Sequence, residues 1–146
     1  MGDTKKTLFV LMADDDDDYY LLAKQAFEEA CPQHELFRVE DGEELMNYLR
    51  ELGKYAGSKR PDVILLDLNM PRKNGRQALQ EMKADPHLKN IPVVILTTSK
   101  AEKDIQESYR HGAHSYIWKP IGYKQLTEVM KTFCQYWFDT MELPKN

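Results

Sequence analysis

Five short apolar runs punctuate the chain, at positions 7–13, 35–40, 63–67, 92–97 and 115–118. The first, third and fourth are almost continuously apolar, without the polar alternation of a half-solvated strand. That pattern predicts strands buried on both faces, as in a parallel sheet. The second run, Glu35-Leu36-Phe37-Arg38-Val39-Glu40, is more polar and is expected near a sheet edge.

Between these runs, apolar residues fall at helical spacing. Positions 18–30 carry Leu21, Leu22, Ala26 and Phe27, and positions 43–52 carry Leu45, Met46 and Leu49. Positions 75–84 carry Ala78, Leu79 and Met82, and a fourth helix is expected over 103–111. Positions 123–139 carry Leu126, Val129, Met130, Phe133 and Trp137. Asp18 suits an N-cap, where negative charge also favours the helix dipole. Gly53 and Gly112 suit C-terminal stops. Strand and helix therefore alternate five times, which predicts an α/β fold with a parallel sheet and right-handed crossovers. Segments 53–61 and 85–91 read as polar loops, and no internal repeat or linker is visible.

The length of 146 residues suits one domain. Composition adds exclusions rather than a function. Hydrophobic residues make up 42% and charged residues 30%, as in a globular soluble protein. A net charge of −4, with scattered Lys and Arg, speaks against nucleic acid as a partner. No apolar run reaches the ~20 residues of a membrane span, and the first residues lack the apolar core of a signal peptide. A cytoplasmic location without membrane contact is the expectation. Cys31 and Cys134 are too few and too far apart in sequence for a disulfide scaffold, and ordinary reduced thiols are expected.

The chemistry lies at the strand ends. In sheets of this class, sites form outside the carboxyl ends of the strands. Asp14 and Asp15 follow the first strand, Asp67 ends the third, Thr97 ends the fourth and Lys119 follows the fifth. All five should crowd one sheet edge. Three carboxylates repel one another unless a cation intervenes. A hard cation such as Mg²⁺ prefers such oxygen ligands. Together with Lys119, the cation can neutralise phosphoryl oxygens while the Asp67 carboxylate attacks in line. The Thr97 hydroxyl can then bond the attached phosphoryl group, the first step of a switch.

Ala13-Asp14-Asp15, Leu65-Leu66-Asp67-Leu68-Asn69-Met70-Pro71, Thr97-Thr98-Ser99 and Lys119-Pro120 together resemble the signature of response-regulator receiver domains. The resemblance runs from about Leu8 to Trp137. It implies a doubly wound sheet in the order 2-1-3-4-5 with five helices, the flavodoxin-like receiver fold. It implies Asp67 as phosphoacceptor, and Mg²⁺ or Mn²⁺ held by Asp14, Asp15, Asp67 and the Asn69 backbone carbonyl. Lys119 matches the phosphoryl-binding lysine, Thr97 the switch hydroxyl and Tyr116 the aromatic that turns inward. Asn69 and Ser99 match positions that tune phosphoryl lifetime. The implied phosphodonor is a sensor histidine kinase or phosphotransfer protein. The implied chemistry is limited to the chain's own phosphorylation and dephosphorylation. Switching should reorient the face of the fourth helix, fifth strand and fifth helix, changing affinity for a partner or a second copy. The expected organisation is one receiver domain over 1–146, with a core of about 7–139, a short tail and no output domain.

The segment from Pro61 to Gly75, with Tyr136-Trp137-Phe138 and Glu142-Leu143-Pro144, resembles the small regulators that serve bacterial phytochrome kinases. Three rivals fit less well. A haloacid-dehalogenase-type phosphatase needs an aspartate where Asn69 stands. A flavodoxin-like cofactor binder needs a phosphate loop where five aspartates follow the first strand. A docking receiver that works without phosphorylation predicts loss of a site residue, and all five are present. Trp118 is unusual beside Lys119 and is a candidate partner contact. Phe133 and Trp137 should pack inward, which leaves Tyr136 or Phe138 exposed.

Overall fold

The computed structural model describes residues 7–140. The five apolar runs form strands β1 (Phe9–Ala13), β2 (Glu35–Val39), β3 (Val63–Leu66), β4 (Val93–Thr97) and β5 (Ser115–Trp118). Helices α1 (Asp17–Ala30), α2 (Gly42–Leu49), α3 (Gly75–Ala84), α4 (Glu102–Arg110) and α5 (Tyr123–Cys134) alternate with them. All pairings are parallel, in the order β2-β1-β3-β4-β5. The order reverses between β1 and β3, so their carboxyl ends open a crevice.

Every residue of β1, β3 and β4 is buried. Alternate side chains feed two cores, one on each face. Leu11, Ile64 and Ile95 pack with Leu45, Leu79 and Met82 of α2 and α3. Val10, Leu65 and Val94 pack with Phe27, Leu126 and Met130 of α1 and α5. The polar strand β2 lies at one edge, as its composition predicts.

The helix ends differ from the sequence reading in three places. Asp16, not Asp18, caps α1: its side chain accepts from the Tyr19 N–H at 3.0 Å. The choice follows from geometry, because a cap accepts from the residue three ahead. Helix α2 stops at Leu49 rather than at Gly53, because Glu51 turns left-handed (φ 57°) before that glycine is reached. Gly53 instead opens a 3-10 turn, Gly53–Tyr55. Finally, α5 does not continue to position 139. It passes at Gln135 into a π-helical turn, Gln135–Thr140.

That wider turn houses three successive aromatics. Trp137 is buried against His114, with ring centroids 4.7 Å apart. The Tyr136 hydroxyl meets His114 Nε2 at 3.2 Å. The Phe138 ring packs at a tilt against His34, with centroids 4.5 Å apart. Both Tyr136 and Phe138 are half-buried, so neither is the expected exposed aromatic, whereas Trp118 is 47% exposed. The segment Glu142-Leu143-Pro144 lies outside the described residues.

Candidate functional site

Asp14 emerges from β1 and Asp67 from β3, two paired strands whose backbones lock the ends together. The Asp67 N–H donates to the Ala13 carbonyl at 3.0 Å. Asp14, Asp15 and Asp67 each bring a carboxylate oxygen within 4.8 Å of the other two. Asp14 and Asp67 are buried, and Asp15 is exposed. Lys119, buried at the end of β5, reaches between them. Its Nζ lies 2.7 Å from Asp14 Oδ2 and 3.4 Å from Asp67 Oδ2.

Burial raises the Asp14 carboxyl above its ordinary range, and the Lys119 ammonium only partly offsets this. Burial alone would lower Lys119. The Asp14 and Asp67 carboxylates outweigh that and hold its ammonium charged to higher pH than usual. One ammonium faces three carboxylates, so the ionised cluster keeps an excess of negative charge. Oxygen-only donors with that excess fit a hard divalent cation. The sequence-predicted cluster therefore assembles.

Loop geometry fixes Asp67. The Asn69 N–H donates to Asp67 Oδ1 at 3.3 Å, and the Asn69 side chain is exposed. Gly75 packs directly beneath. Its N–H donates to the Leu68 carbonyl at 3.0 Å. A Cβ at Gly75 would stand 2.1 Å from the Asp67 carbonyl oxygen, so only glycine fits.

Thr97 is fully buried at the end of β4, and its hydroxyl has no hydrogen-bond partner among the described residues. A buried hydroxyl without a partner carries a desolvation cost. Ser99 faces another way. Its hydroxyl donates to Asp104 on α4 at 2.6 Å, and Asp104 also pairs with Arg76 at 2.9 Å. The Tyr116 hydroxyl donates to the Ser99 carbonyl at 2.9 Å, which ties β5 to the loop before α4. Trp118 sits beneath the Lys100 ammonium, 3.3 Å from its ring centroid.

Two further neighbours were not predicted. The Tyr19 ring lies 4.4 Å from Lys119 Nζ, a cation–π contact. Arg38 Nε on β2 donates to the Asp14 carbonyl at 2.8 Å. A tyrosine in the first turn after the acidic pair could have signalled the first contact. Nothing in the sequence signals the second.

The response regulator receiver domain model matches residues 10–131. Response regulator Rcp1 of Synechocystis is 38% identical over 135 residues, covering 92% of both chains. The crystal structure of the phosphorylated cyanobacterial phytochrome response regulator RcpA superposes with a TM-score of 0.89. It is 42% identical and covers 95% of this chain and 99% of its own. The Mn²⁺-bound form of Rcp1 superposes at 0.86, with 37% identity, over 97% of this chain and all of its own. The fold and the acidic cluster agree with these matches, and the chain belongs to the response regulator receiver domain family, the signal-receiving module of two-component systems.

Proposed function

We propose that Asp67 is the phosphoacceptor of this receiver, loaded with Mg²⁺ in the cell. The carrying observation is the convergence of Asp14, Asp15 and Asp67 on Lys119. Asp14, Asp15, Asp67 and the Asn69 carbonyl would hold the cation, which supplies positive charge to the phosphoryl oxygens when bound. A Mn²⁺-bound Rcp1 supports a divalent ion of this kind.

An Asp67 carboxylate oxygen bonds to phosphorus as the phosphorus–nitrogen bond of a donor phosphohistidine breaks, and the imidazole leaves. Lys119 is already within reach of Asp67 and stabilises the incoming negative charge. Its release from the Asp14–Asp67 pair supplies that ammonium without a new desolvation cost. The unpartnered Thr97 hydroxyl then gains an acceptor on the phosphoryl group. Movement of Thr97 and the loop before α4 disturbs the Tyr116–Ser99 bond. The signal leaves through α4, β5 and α5 to a partner or a second copy. Asn69 and Ser99 set the lifetime of the acyl phosphate. Catalysis is confined to the chain's own phosphorylation and dephosphorylation, in the cytoplasm. The proposed donor is a phytochrome-class histidine kinase, since RcpA is a phytochrome response regulator.

The test is incubation with acetyl phosphate and Mg²⁺, read by intact mass. Wild type should gain one phosphoryl group, and chelator should prevent it. An adduct that survives in Asp67→Asn overturns the assignment.

A further inference from the structure

The chain's two cysteines lie roughly a hundred positions apart, yet α1 and α5 pack against each other and both thiols are buried where those helices end. Cys31 closes α1 as its C-cap, and Cys134 is the last residue of α5. Both belong to the same apolar core, with Phe27 and Met130. The Cys31 thiol donates to the Met130 carbonyl at 3.3 Å. In an α-helix that carbonyl also accepts from the residue four ahead, which is Cys134. Two helix ends distant in sequence thus meet at one shared carbonyl. The Cys134 contact holds the Cys31 thiol below its ordinary range, against the opposing effect of burial.

We propose that Cys31 and Cys134 are a reversible covalent modification site, a dithiol that small-molecule disulfides oxidise, fastening the end of α1 to the end of α5. Cys134 is the more accessible, at 6% against 1% for Cys31. It is followed directly by the π-helical turn, so lifting that turn exposes it first. The Cys134 thiolate attacks one sulfur of the reagent, and the reagent's S–S bond breaks to release one thiolate. The Cys31 thiolate then attacks the Cys134 sulfur of the mixed disulfide and expels the second thiolate. In balance, the protein loses two protons and two electrons, and the reagent is reduced to two thiols.

The pair stands apart from the acidic cluster. Helix α1 starts beside the acidic pair and runs 14 residues away from it, a rise of ~21 Å. Closure therefore constrains how α5 rides on α1 and leaves the phosphoryl chemistry at Asp67 untouched.

Native wild type and Cys31→Ser are titrated with oxidised glutathione, acid-quenched and mapped. Wild type should lose two hydrogens, yield a peptide joining Cys31 to Cys134, and revert with dithiothreitol. Because the bridged loop is long, the unfolding midpoint should rise by roughly 10 °C. Cys31→Ser should stop at the mixed disulfide on Cys134. Stable glutathione adducts on wild type, disulfide-linked dimers, or closure only in denaturant would overturn the proposal. The wild-type peptide map decides the matter even where the serine variant folds poorly.

Discussion

Lys119 holds together a cluster that would otherwise repel itself. Replacing it with methionine leaves the Asp14 and Asp67 carboxylates buried without their ammonium. Removing one partner of a buried pair costs about 3 kcal/mol or more, which urea unfolding of Lys119→Met should show at neutral pH. Millimolar Mg²⁺ should recover part of the loss, since a cation can replace the missing charge. Asp104 gives a pH-dependent counterpart. The Ser99 hydroxyl, then Arg76, hold its carboxyl below the ordinary value of 3.8. A depressed carboxylate stabilises the fold above its unfolded value, and that stability is lost as pH falls through the lower folded value. Ser99→Ala should therefore cost about 1.5 kcal/mol at pH 7, and the difference should shrink as pH drops below 3.8. Equal costs at both pH values would refute the charge-assisted reading. At this scale the sequence marked Asp14, Asp15, Asp67, Thr97 and Lys119, because each ends or follows a strand and strand ends share an edge. Tyr19 and Arg38 escaped notice because their roles depend on which neighbour α1 and β2 face, which spacing alone does not encode.

Among the elements, the turn from β3 into α3 has the least tolerance. Gly75→Ala drives a methyl group into the Asp67 carbonyl. Overpacking of this kind costs about 1–3 kcal/mol, and the strain should also slow phosphorylation by acetyl phosphate. Unchanged stability and rate together would show that the loop can yield. The far end of α5 is governed by packing instead. Trp137 is 3% exposed and seats the π-helical turn against His114. Trp137→Ala should lower stability by about 3–5 kcal/mol, measured by urea unfolding, without abolishing Mg²⁺-dependent labelling. Strand positions were legible to within a residue or two, because continuous apolar runs admit little choice. Helix ends were less so. Asp16 and Asp18 are the same residue type, and only backbone conformation distinguishes cap from first turn. The π-helical turn is set by where three aromatics find partners, a tertiary choice that overrides helical periodicity.

Among the described residues, one sheet divides two cores, with the acidic cluster and Lys119 at one rim. Alternating strands and helices announced that architecture. The order of the strands did not follow from alternation and came from the resemblance, since periodicity is blind to which strands are neighbours. Binding at the rim should be visible in global stability. Mg²⁺ at a hundredfold excess over its dissociation constant should stabilise the fold by about 2.7 kcal/mol, read by thermal unfolding and reversed by chelator. No such shift should occur in a variant with Asp14→Asn and Asp15→Asn together. The sheet is also unevenly anchored. β1, β3 and β4 are wholly buried, whereas no residue of β5 is. Local opening is easiest where the least apolar surface must be re-wetted. The amides of Ser115–Trp118 should therefore trade their protons for deuterons well ahead of those of Val63–Leu66. The outer strand that carries Tyr116 and leads to Lys119 is thus cheaper to deform than the central strands, which lets an event worth a few kilocalories at the rim be felt as motion there while the centre stays put.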